Sequence, residues 1–383
     1  MIRVIQSDWT ADHVAGIGRK PLPYAGIITD EQARPILPGF DLWDMWPVQT
    51  LDGKTAQIAG GIMWLTLCAP VMGDPIHRHM HARIRLIHQV GDHWHDLGSA
   101  LDQGLCPGNR EWSGSAILDE AGRVTLFFTA AGIAGSEGGW QQRLFQASAA
   151  LHSGGATPGL SDWSQPLESV KSDADIYVDA NQAEGEPGKI KAFRDPGFFR
   201  DPADGSSYLL FAGSLGRSAN SHNGCIGLAR ASETGLSHWQ LLPPLVCADG
   251  LNNELERPHI IVQNGHYYLF WSTQSSVFAP DGPIGPTGLY GMVASSLFGP
   301  YAPLNETGLV IANPADEPTQ AYSWLVLDDL RVISFVDSWG LGGKPAADEA
   351  MARAHFGGTP APVLTLTLDG ATSHLEQHQA MTA

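Results

Sequence analysis

Short apolar runs rich in β-branched and aromatic residues recur along the whole chain, each bounded by Gly, Pro, Asp or Asn. QIAGGIMWLTL, ARIRLIHQV, VTLFFTAAG, SSYLLFAGS, GLYGMVASS and PVLTLTLDG are examples. Runs of this length and composition predict strands. Several predict hairpins. HIIVQNGHYYLF carries Asn264-Gly265 at its centre, the residue pair that a two-residue turn with positive φ favours. LVLDDLRVISF repeats the arrangement around Asp328-Asp329. Helical signals are few, and the clearest is SDWTADHVAG, where Ser7 or Thr10 can cap a short turn. The 44 glycines and 26 prolines interrupt long helices. The pattern therefore predicts an all-β fold. No linker or shift of composition divides the 383 residues, which predicts one domain over residues 1–383. A single β-propeller of four-stranded blades around a central funnel fits, and five blades of about 70 to 75 residues use up the length. No internal repeat is strong enough to count the blades.

Composition narrows the partners. The formal net charge is −18, from 40 acidic against 22 basic residues, which argues against nucleic acid or an anionic membrane surface. A neutral ligand such as a sugar suits this surface better. No 18-residue apolar run is present to span a bilayer. The start, MIRVIQSDWTADHVAGIGRK, lacks the apolar core of a signal peptide, so the chain is expected in the cytoplasm or released by a signal-independent route. Cys68, Cys106, Cys225 and Cys247 are far apart and form no C-x-x-C pair. Free thiols are expected, with room for one disulfide.

Three segments combine carboxylates with aromatic or arginine neighbours: DLWDMWPVQ (41–49), AFRDPGFF (192–199) and NNELERPHII (252–261). Only the fold can bring them together, and the inner strands of a propeller meet around a funnel. Glycosidic cleavage needs such a set: one carboxylate at the anomeric carbon, one protonated carboxyl for the leaving oxygen, and groups that hold hydroxyls. Glu254 and Glu256, at i and i+2 of a strand, would share one face, and their repulsion would favour a proton on one of them. A solvated strand edge is the alternative for that pair. Arg-Asp-Pro occurs twice, at Asp195 and at Asp201, and Asp201 opens DPADG, a turn sequence. IHRHMHAR places His77, His79 and His81 in alternation, on one face if this is a strand. That spacing could bind a transition metal, but no carboxylate motif accompanies it, and neither a metal nor a cofactor is expected.

LWDMWPVQTLDG, REWSGSAIL, FRDP, LERPHIIVQNGHYYLF, GLYGMVASSLFGPYAPLNETGLVIANP and QAYSWLV, in this order, resemble the motifs of glycoside hydrolase family 68, the levansucrases, inulosucrases and bacterial β-fructofuranosidases. The resemblance covers almost the whole chain. It implies a five-bladed propeller and retaining fructosyl transfer from sucrose to water, fructo-oligosaccharides or other sugar acceptors. It assigns Asp44 as nucleophile, Asp195 as transition-state stabiliser and Glu256 as acid and base. It further implies substrate contacts by Trp43, Trp112, Ser113, Arg194, Glu254, Tyr322 and Arg83, with Arg257 a weaker candidate. Many levansucrases carry a histidine or arginine where this chain has Gln274, which keeps hydrogen-bonding capacity without the charge. Hydrolysis and short oligosaccharides are then expected over long levan, and a histidine of the IHRHMHAR cluster could take over on the acceptor side. Two other readings stay open on the residues: a propeller glycosidase of the arabinofuranosidase or xylosidase type, and a non-catalytic sugar-binding propeller.

Overall fold

Asn264 and Gly265 both adopt positive φ, 50° and 76°, and the strands that they join pair in register from Gln263–His266 back to His259–Phe270. This is the hairpin that the Asn-Gly dipeptide predicts, and it sets the style of the whole chain. The computed structural model describes residues 3–155, 157–182, 189–233 and 235–376. Nearly all of its regular structure is antiparallel sheet.

The first sheet contains two meanders. One runs through β1 (Phe40–Thr50), β2 (Gly61–Pro70), β3 (Arg83–Val90) and β4 (His93–Ser99). The other runs through β5 (Arg110–Leu118), β6 (Arg123–Ala131) and β7 (Gln142–His152). Parallel pairing of β1 with β5, Val48 opposite Ala116, fuses them into ten strands together with three short ones. A second sheet contains β8 (Phe193–Arg200), β9 (Ser207–Ser214), β10 (Gly224–Ser232) and β11 (Gly235–Cys247), and Ser7–Asp8 adds to its outer edge in parallel with Val246–Cys247. The third is built on β12 (Glu256–Gln263), β13 (His266–Thr273) and β14 (Gly288–Ala294). The fourth holds β15 (Ala321–Val326) and β16 (Arg331–Ser338), which β17 (Phe356–Pro360) and β18 (Leu364–Asp369) both join. The first strand of each meander, β1, β5, β8, β12 and β15, touches the next, and β15 returns to β1. Each presents a largely buried row to its neighbours, and Trp46, Phe127, Phe211, Trp271 and Trp324 fill the spaces between sheets.

Thr10 caps a five-residue helix, α1 (Ala11–Ala15), with its backbone N–H donating to His13 Nδ1 at 3.0 Å. Trp9, ahead of it, is buried against Trp271, Phe278 and Tyr290 and so anchors the N-terminal segment. Three details differ from the sequence expectations. The Asp328-Asp329 hairpin forms between β15 and β16, but its left-handed residue is Leu330, at φ 65°, because the loop is longer than two residues. A second helix, α2 (Glu349–Ala354), is capped by Asp348 Oδ1, which accepts from the Met351 N–H at 2.8 Å. The histidine segment is not a strand: Asp74 caps and Pro75 begins a 3₁₀ helix over Pro75–Met80. With three residues per turn, side chains two apart point about 240° from each other, so His77, His79 and His81 leave on different faces. The four cysteines are free thiols, although the fold sets Cys225 directly across from Cys247.

Candidate active site

Each of the five first strands breaks its register at one level. The breaks fall between Trp43 and Met45, Trp112 and Gly114, Arg194 and Gly197, Glu256 and His259, and Tyr322 and Leu325. Four of them carry a left-handed residue: Asp44 (φ 40°), Asp195 (φ 61°), Arg257 (φ 51°) and Ser323 (φ 62°). A bulge re-aims the side chains around it, and a non-glycine residue holds positive φ only where its surroundings impose it. The strained backbone therefore turns Asp44, Ser113, Asp195, Glu256 and Tyr322 toward one space.

That space is a cavity of about 400 Å³ lined by Trp43, Asp44, Trp112, Ser113, Arg194, Asp195, Glu254, Glu256, Gln274 and Tyr322. These are all the site residues expected from the sequence except Arg83 and the weaker candidate Arg257. Arg83 lies apart. It stands at the start of β3, half exposed, with Nη1 donating to the carbonyls of Ala82 and Asn109 at 2.9 and 2.7 Å, and it is not among the lining residues. Arg257 lies beneath the cavity rather than in it. Its guanidinium donates to Ser323 O and Oγ and to Met45 O, at 2.9, 2.8 and 2.5 Å, and thereby ties β12 to β15 and β1. Asp201 lines a separate cavity of about 610 Å³. There it accepts from the Ala203 N–H at 2.9 Å and the Tyr267 hydroxyl at 2.6 Å, as a turn residue does.

Hydrogen bonds give the carboxylates different surroundings. Ser113 Oγ donates to Asp44 Oδ2. Asp195 accepts at Oδ2 from the Arg257 N–H at 3.2 Å, and its own N–H donates to Thr129 Oγ1 at 2.9 Å. Glu256 accepts from Arg194 Nη2 at 2.8 Å on Oε1 and from the Tyr322 hydroxyl on Oε2. The same Arg194 nitrogen lies 3.0 Å from Glu254 Oε1. This corrects the expectation of bare repulsion between Glu254 and Glu256: Glu254 precedes β12, and the guanidinium stands between the two acids. Burial works against the charge on Arg194, yet Glu254, Glu256 and Asp195 more than offset it and raise its proton affinity.

Asp44, Asp195, Glu254 and Glu256 gather around Arg194 and Arg257, so these acids outnumber the guanidiniums among them. The excess is felt at Asp195, whose carboxyl burial pushes up to about 7. Arg194 opposes that rise, and the Glu256 and Asp44 charges reinforce it. Tyr322 is held well above its ordinary range by burial and then by Glu256, so it remains a hydrogen-bond donor at any working pH.

Sequence reasoning missed several lining residues. Arg78 comes from the 3₁₀ helix, Asp337 from the end of β16 and Phe356 from the start of β17, while of the three alternating histidines named from the sequence it is His79 that lines the cavity. His79 meets Trp43 edge to face at 6.1 Å. Burial, then Arg78, Arg110 and Arg194, push its proton affinity well down and keep it neutral. Its neighbours His77 and His81 are exposed, and among the described residues no group of three His, Cys, Asp or Glu side chains could hold a metal ion.

Comparison with known proteins places this geometry in context. The sequence model of the family described as Levansucrase/Invertase matches residues 6–223 and 216–381. The levansucrase LscC of Pseudomonas savastanoi pv. glycinea is 32% identical over 377 residues, covering 88% of this chain and 83% of its own. The levansucrase of Rahnella aquatilis is 31% identical, covering 88% and 86%. Among solved structures, the inulosucrase of Halalkalicoccus jeotgali bound to kestose superposes with a TM-score of 0.89 at 35% identity, covering 97% of this chain and 95% of that one.

Proposed function

The chain belongs to the levansucrase/invertase family, glycoside hydrolase family 68, and from that membership we propose how this sucrose-acting enzyme uses its cavity. The observation that carries the reading is the convergence of Asp44, Asp195 and Glu256, from three different strands, each with its own hydrogen-bond donors. The five meanders around the cavity are then the blades of a five-bladed propeller, with β1, β5, β8, β12 and β15 innermost.

In the first step an Asp44 oxygen attacks C2 of the fructosyl unit as the C2–O bond to glucose breaks. Glu256 passes its proton to the departing glucosyl oxygen. In the second step the Glu256 carboxylate takes a proton from water or a sugar hydroxyl, whose oxygen attacks C2 and releases Asp44. Ser113 fixes the attacking carboxylate, and Tyr322 and Arg194 orient Glu256. Asp195 accepts fructosyl hydroxyls, and those donors favour its ionised form, so sugar binding and proton release from this group are coupled. Trp43 and Trp112 give flat apolar faces to the sugar rings.

Gln274 brings an uncharged amide to the cavity, which supports short oligosaccharides and hydrolysis over long polymer. Incubation of the purified protein with concentrated sucrose tests both parts. Glucose release together with free fructose and short oligosaccharides is expected, and Glu256→Gln should abolish it. Intact sucrose would reject the reading, and a high-molecular-weight fructan would reject the product preference alone.

A further inference from the structure

Two guanidiniums flank the ring of Phe356 beside the cavity. Arg353 lies 5.2 Å from the ring centroid and is neutralised by buried Asp41, whose Oδ2 is 2.6 Å from its Nη1. Arg78 lies 4.5 Å from the same ring and 5.5 Å from that of Trp43. It is more enclosed than Arg353, at 8% exposure against 23% for the Arg353 side chain, yet among the described residues it has no ion pair within 4.0 Å. Its Nη1 donates to Pro75 O at 3.0 Å, and its buried Nε has no partner.

A buried guanidinium left without a contacting anion is a cost that packing alone gives no reason to keep. Burial lowers the proton affinity of Arg78, and the leading charge that opposes this is Asp337, followed by Asp44 and Asp41. Asp337 lines the same cavity, is itself raised by burial, and is drawn back first by Arg78. Opposite charges thus line one cavity with no ion pair between them within 4.0 Å, and such an arrangement suits a group that can accept from one and donate to the other.

We propose that Arg78 and Asp337 form a hydroxyl-binding pair for the fructosyl unit held over Asp44. An alcohol oxygen accepts from the Arg78 guanidinium while its proton goes to the Asp337 carboxylate. An anionic group such as phosphate is disfavoured, because Asp337 and Asp44 would repel it. The assignment to the fructosyl unit rests on the reading of Asp44 as nucleophile, since both members of the pair sense the Asp44 charge.

The test compares sucrose with four analogues deoxygenated in turn at C1, C3, C4 and C6 of the fructosyl unit. In the wild-type enzyme, loss of the bridging hydroxyl should lower kcat/KM by about 10- to 100-fold, as expected for a hydrogen bond to charged groups. In Asp337→Ala, and independently in Arg78→Met, the penalty for that one analogue should fall to less than about threefold. The penalties for the other analogues should persist. Asp337→Asn serves if the alanine variant fails to fold, with the same selective reduction expected. Penalties unchanged for all four analogues in the folded variants would overturn the pair while leaving the family mechanism intact. Failure of the wild type to cleave sucrose would instead overturn the mechanism on which the assignment rests.

Discussion

Asp195→Asn should stabilise the protein while abolishing turnover, because the site keeps a carboxylate where folding disfavours its charge. Burial moves the Asp195 carboxyl from its usual 3.8 up to about 7. A group whose folded pKa is raised contributes fully below its unfolded value and loses that contribution as pH climbs through the folded value. The window is therefore about pH 4 to 7, and at about 1.36 kcal/mol per pH unit the loss above it is about 4 kcal/mol. Asparagine is neutral throughout and can still accept from the Arg257 N–H now 3.2 Å from Oδ2. An unfolding entropy of about 2.1 cal/mol/K per residue over 383 residues converts that energy into about 5 °C of Tm. Thermal unfolding of both proteins from pH 4.5 to 8.5 should show similar midpoints at the acid end and a gap in favour of the variant that opens toward pH 8. A variant with an equal or lower Tm at pH 8, or a gap independent of pH, would refute the reasoning.

Ser113→Ala removes the hydroxyl that donates to Asp44. A hydrogen bond to a charged group contributes about 1.5–3 kcal/mol, so kcat on sucrose should fall about 10- to 100-fold, with KM little changed and Tm nearly constant. Tyr322→Phe takes the donor from Glu256 Oε2 and should move the alkaline limb of the kcat profile to higher pH, because a carboxyl that loses a donor keeps its proton longer, where a merely structural tyrosine would lower Tm and leave the profile alone. Arg257→Met breaks the clamp onto Ser323 and Met45 and should lower Tm and turnover together. Retention of wild-type Tm by that variant would show that the clamp does not hold the cavity floor.

Local chemistry made much of the fold legible. Asn264-Gly265 can only be a tight turn, Thr10 caps where a polar residue precedes a short helical run, and alternating apolar runs bounded by Gly and Pro become strands. Asp74-Pro75 could have warned that IHRHMHAR opens a 3₁₀ helix rather than a strand, since an Asx cap followed by Pro at the first position is a helix start. Likewise Asp348 ahead of EAMARA signals α2. The carboxylates were legible as segments but not as a geometry. Nothing in ELER tells that Arg194, some 60 residues earlier, inserts between Glu254 and Glu256. Arg78 and Asp337 left no sequence signal, because their relation exists only once the 3₁₀ helix and the end of β16 meet over Trp43 and Phe356.

The central claim, that Asp44 is the residue to which fructosyl becomes attached, is tested most directly by rapid quenching of the enzyme with sucrose, followed by intact mass and peptide mapping. A fructosyl ester on the peptide containing Asp44, seen in the wild type and missing from Asp44→Asn, is the predicted result. An adduct that persists in Asp44→Asn, or one that maps to Asp195 or Glu256, would contradict the account.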